Sequence, residues 1–188
     1  MNERWTMLLQ SQLPDCYHVI EEGLNSRTTV HEDPFEAGKK GLDYLLPCLG
    51  SHHPDLVIIM LGTNDLKTRF NQTANDISMG VATLAQVALS FKHDFMPKCP
   101  EVLLVAPPPV FESGPSKVKF RGSEEKSKQF ALYYKLRAEE LGCHFLDAGQ
   151  HVQSCTSEGI HWPLDQHKKF ADTLTELVPR LLPDIATD

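Results

Sequence analysis

Apolar and polar positions follow two rhythms along this chain. Four short segments read as strands: "YHVIEE" (17–22), "DLVIIML" (55–61), "EVLLVA" (101–106) and "CHFLDAG" (143–149). The second and third are continuously apolar, as strands buried on both faces must be. Between them the spacing turns helical. Residues 73–91 put Ile77, Val81, Leu84, Val87 and Ala88 on one face, the signature of a helix packed on a core. Gly122 to Leu141 predicts a helix with Phe130, Tyr133, Tyr134 and Leu136 among its apolar positions and Gly142 as its cap. Residues 163–182 predict a closing helix with Phe170, Leu174 and Leu177 on one side. "GKKGLDYLLPCL" (38–49) has helical character that Pro47 should end or interrupt.

Strands alternating with helices predict an α/β fold, a parallel sheet with helices on both faces. With 188 residues, no repeat and no linker-like tract, the chain reads as one domain, 1–188. In such sheets ligands sit at the carboxyl ends of the strands. The small polar clusters fall there: Gly23 to Arg27 after the first strand, Gly62 to Asp65 after the second, and "SEGIHW" (157–162) before the last helix.

Composition narrows the function classes. A net charge of −7 with no large Lys/Arg cluster argues against nucleic acid or anionic membrane as a partner. Five scattered cysteines without a C-x-x-C pair suggest reduced thiols and a cytoplasmic setting, not a disulfide framework or a zinc site. His52 and His53 are adjacent but find no third ligand nearby in the sequence, so no metal is expected. No run approaches transmembrane length, no signal peptide is visible, and no Gly-rich phosphate motif supports a nucleotide domain.

The three loops carry complementary chemistry. Asn64 offers a neutral amide donor for a developing oxyanion. The turn at residues 23–26 can point a backbone N–H at the same place. Glu158 and His161 are three apart, so the carboxylate can hold one ring nitrogen and leave the other as a general base. Each element alone has a plainer reading as a turn, a cap or a surface pair. Their joint placement at one end of one sheet favours acyl transfer to a serine.

"VIIMLGTND", "EEGLNSRTT" and "EGIHW" before a terminal helix resemble the SGNH hydrolases, or GDSL esterase/lipase family. Within it the likeness is to bacterial aryl-esterases and acyltransferases acting on small esters. The resemblance runs in order over essentially the whole chain. It implies a three-layer flavodoxin-like sandwich, a small-molecule ester substrate, no cofactor and no metal, and it leaves homo-oligomerisation open. By position, Asn64 matches the oxyanion asparagine and His161 the base. Glu158 takes the place of the usual aspartate. The family's oxyanion glycine falls at Ser26, so only its backbone N–H carries over, with Gly23 as the turn glycine before it. Arg27, Asp65 and Trp162 are the candidates for shaping a substrate pocket, with salt-bridged structural roles an equal alternative for Arg27 and Asp65.

One family block has no counterpart. The strand leading into Gly-Asp-Ser, whose serine is the nucleophile, is missing, and "MNERWTMLLQ" resembles the helix that follows it. In the family's strand order that first strand is central. Its absence would leave a gap of about two strand spacings, roughly 10 Å, lined by unpaired backbone groups. Three readings follow: a longer natural protein, a non-catalytic binder, or a substitute hydroxyl with Ser26 nearest. The first is preferred because the other catalytic groups look retained. Ser26 is disfavoured because a backbone-donor role points its side chain elsewhere.

Overall fold

The aliphatic run at 101–106 becomes the centre of the molecule. In the structure, a computed structural model describing residues 3–94 and 98–183, strand β2 (Glu101–Ala106) lies between β1 (Leu56–Ile59) and β3 (His144–Asp147). Both pairings are parallel, with Leu56 opposite Glu101 and Leu103 opposite His144. Val102 to Ala106 have no solvent exposure. Complete burial of a Val or Leu side chain contributes about 1.5–3 kcal/mol, and alternation delivers that gain to both faces of the sheet.

Val102, Leu104 and Ala106 join one core, and Leu103 and Val105 the other. The first core is closed by α2 (Gly41–His52), α3 (Ala74–Leu89) and α5 (Phe130–Leu141), through Leu49, Ile77, Val81, Leu84, Phe130 and Tyr134. The second is closed by α1 (Trp5–Gln12) and α6 (Leu164–Leu181), through Leu9, Phe170, Leu174 and Val178. Helices on both faces of a parallel sheet make this the expected α/β sandwich. Helix α3 starts where Thr73 accepts from the Asp76 N–H and Asp76 accepts from the Thr73 N–H, a reciprocal capping box. Gly142, at φ 67°, caps α5.

Three expectations need correcting. Helix α2 runs through Pro47 to His52; the loss of one backbone donor is outweighed by a helix already nucleated and packed through Leu49. The single helix expected at 122–141 is two, α4 (Ser123–Ser127) and α5, separated at Lys128 and Gln129. Residues 17–22 form no strand and join no sheet. Instead the Gln10 side chain of α1 accepts from the Val19 N–H at 2.6 Å and donates to the Tyr17 carbonyl at 3.0 Å. Among the described residues, β1 has no ladder partner on the side away from β2.

Candidate active site

Past β1 the backbone is forced into a turn by Gly62. Its φ is 113°, and a Cβ there would sit 2.1 Å from the Tyr134 hydroxyl. That hydroxyl donates to the Leu61 carbonyl at 2.7 Å, so α5 holds the end of the strand. The chain then makes one 3-10 turn, Asn64–Leu66, leaving Asn64 half-buried. Its side-chain amide makes no hydrogen bond among the described residues and keeps its donors available.

Asp65 does something other than line a pocket. It has no solvent exposure, and its carboxylate accepts from the Thr29 N–H at 3.0 Å and the Thr29 hydroxyl at 2.6 Å. Burial raises its carboxyl above the usual range despite those bonds. It is a clamp joining the Asn64 turn to the loop that carries Ser26.

In that loop Ser26, not Gly23, is the left-handed residue, at φ 65°. Gly23 is exposed, and a Cβ there would meet nothing within 4 Å. The Ser26 side chain is engaged by Glu36, and Glu36 pairs with Lys67 and Arg69 at 3.4 Å. Lys67 is buried and also reaches the fully buried Asp33 at 3.3 Å, where Arg69 joins it. Arg27 places its guanidinium 4.3 Å above the Tyr44 ring.

The third loop is built around a carboxylate. Glu158 Oε1 lies 2.9 Å from His161 Nδ1, while Oε2 accepts from the N–H groups of Ile160 at 3.0 Å and His161 at 2.7 Å. Burial opposes the charged form, but these bonds and the His161 ring outweigh it and hold the Glu158 carboxyl below its ordinary value. The His161 side chain is 75% exposed, so its Nε2 faces solvent. Gly159, at φ 104°, allows the turn. Its carbonyl accepts from the Phe111 N–H at 2.8 Å, tying this loop to the one after β2.

The Asn64 turn and the Glu158–His161 loop, with the segment after β2, border a cavity of about 100 Å³, to whose lining the Ser26 loop contributes no residue. Met60 and Thr63 line it from one side, Pro107 and Pro108 from a second, Ile160 and Trp162 from a third. Thr63 precedes Asn64, and Ile160 and Trp162 flank His161, so the segments carrying both residues border one hollow at the carboxyl ends of the strands. Ser154 also lines it; its hydroxyl is buried and unpartnered. Sequence reasoning missed Thr63, Ser154 and the Asp65–Thr29 clamp; nothing in "VQSCTSEG" distinguishes Ser154 from a surface serine. Among the described residues no serine or threonine hydroxyl bonds the His161 ring. Away from the cavity, folding gives His52 the company that the sequence did not, with Glu22 and Cys48 beside it.

Residues 1–174 match the GDSL-like Lipase/Acylhydrolase family. No curated protein matches the chain. Among solved structures, the chain is similar to Est24, a carbohydrate acetylesterase from Sinorhizobium meliloti, at 37% identity and a TM-score of 0.91, covering 96% of this chain and 86% of that one. It is similar to the native M. smegmatis aryl esterase at 37% identity and a TM-score of 0.92, with the same coverage. A carbohydrate acetylesterase family member from Sinorhizobium meliloti aligns at 32% identity and a TM-score of 0.92, over 97% of this chain and 88% of that one.

Proposed function

Because the chain belongs to the GDSL-like lipase/acylhydrolase family, we propose that it is the scaffold of a serine esterase acting on small carboxylic esters, acetyl esters foremost. The observation that carries this reading is the Glu158–His161 pair, an imidazole oriented by an ionised carboxylate with its second nitrogen open to solvent. A serine oxygen attacks the ester carbonyl carbon while His161 Nε2 takes its proton. Glu158 steadies the imidazolium. The Asn64 amide and the Ser26 N–H donate to the tetrahedral oxyanion. Collapse expels the alcohol, which receives the proton from His161, and water repeats the sequence to release the acid.

The size of the cavity supports a short acyl group. At about 100 Å³ it is smaller than the roughly 150 Å³ cavity that admits benzene. Two of the solved structures that the chain resembles are named a carbohydrate acetylesterase and an aryl esterase.

The nucleophile is proposed to arrive on a strand ending in Gly-Asp-Ser that fills the open side of β1. A second reading, a non-catalytic binder of esters or acylated glycans, is favoured by the lack of a hydroxyl at His161 among the described residues. Translating the DNA upstream of Met1 in frame separates the two. A strand pattern ending in Gly-Asp-Ser supports the esterase, whereas a stop codon close by favours the binder. Under both readings the 188 residues alone hydrolyse p-nitrophenyl acetate poorly or not at all.

A further inference from the structure

Helix α2 brings Cys48 and His52 one turn apart on one face, since residues four apart are neighbours on a helix. The segment before the Ser26 turn adds Glu22, whose Oε1 lies 2.7 Å from His52 Nε2. One ligand atom from each of the three lies within 4.8 Å of the others. We propose that Glu22, Cys48 and His52 form a binding site for a borderline divalent cation, zinc by preference, that ties the segment entering the Ser26 turn to α2.

The donor set selects the metal class. Thiolate and imidazole together suit zinc and disfavour magnesium and calcium, which take oxygen ligands. Around tetrahedral zinc, bonds of about 2.0 Å to N and O and about 2.3 Å to S put ligand atoms roughly 3.3–3.5 Å apart. The carboxylate and imidazole, 2.7 Å apart, therefore open by several tenths of an ångström, an adjustment within reach of side-chain rotation. On binding, the Cys48 thiol gives its proton to solvent as the zinc–sulfur bond forms. Thiolate and carboxylate then balance the two positive charges, so the filled site is neutral beside Arg27. Water takes the fourth position.

A partner for the carboxylate is already in place. The Tyr44 hydroxyl donates to Glu22 Oε2 at 2.6 Å, leaving Oε1 toward the metal, the outer contact that orients ligating carboxylates. Cys48 and Glu22 are half-buried, so the metal would be partly shielded while a path to solvent stays open.

The test uses the reduced, chelator-stripped 188-residue chain, titrated with Co²⁺ as a spectroscopic substitute for zinc. The expected result is a thiolate-to-cobalt charge-transfer band that saturates at one equivalent and is displaced by Zn²⁺. Cys48→Ser should abolish the band, His52→Ala should abolish saturable binding, and Glu22→Gln should weaken it by at least about tenfold. Zinc should raise the melting temperature of the wild type and leave that of His52→Ala unchanged, which keeps a misfolded variant from passing as a positive result. No band in the wild type, or a band that persists in Cys48→Ser, overturns the proposal. The titration uses no ester, so its outcome is independent of the esterase reading.

Discussion

Ser26 holds a backbone conformation that L-residues reach at a cost of about 1–2 kcal/mol, and its hydroxyl is taken up by Glu36. A residue valued for its N–H tolerates losing its side chain; a nucleophile does not. In an active polypeptide carrying the proposed Gly-Asp-Ser strand, Ser26→Gly should keep kcat for p-nitrophenyl acetate within severalfold of wild type. Loss of turnover would make Ser26 the nucleophile. The Glu158–His161 pair was legible from sequence because both groups sit in one turn, where spacing alone sets the geometry. The Asp65–Thr29 clamp was not, since its partners are 36 residues apart and meet only after the sheet forms. Of the two roles open to Asp65 from sequence, pocket wall or structural carboxylate, its complete burial favours the second.

At the level of elements, the turn after β1 depends on Gly62 fitting under Tyr134. Gly62→Ala forces a strained φ and a 2.1 Å contact with the Tyr134 hydroxyl, and urea unfolding should show a loss of about 1–3 kcal/mol. Tyr134→Phe removes the contacting oxygen. The double variant should therefore be less destabilised than the sum of the two singles; strict additivity would show that the hydroxyl is not what Gly62 avoids. The strands and the α3 face were legible because continuous apolar runs and 3.6-residue spacing report burial directly. Residues 17–22 misled the same logic. Their pattern suits a strand, but pairing needs a neighbour, and here Gln10 of α1 satisfies the backbone instead. Pro47 misled it too, because propensity is local and packing is not.

Over the whole molecule, charge sets the response to acid. Asp33 is fully buried; burial works against its charge, but the Phe35 N–H, Arg69 and Lys67 outweigh that and hold its carboxyl below the ordinary range. Glu158 is lowered as well. A carboxyl lowered by folding stabilises the native state above its unfolded pKa, and that contribution disappears as pH falls through the folded value. Asp65, raised by burial, acts oppositely: protonating it favours the fold. Urea midpoints should therefore fall as pH drops below the ordinary carboxylate range, and Asp33→Asn should flatten that fall. An unchanged slope would remove Asp33 from the balance. The proposed oxyanion donors and oriented base for ester cleavage stand or fall with His161. In the polypeptide that carries the nucleophilic strand, His161→Ala should lower kcat/KM for p-nitrophenyl acetate by about 10²- to 10⁴-fold with the fold intact; a rate near that of the wild type would remove His161 from the chemistry.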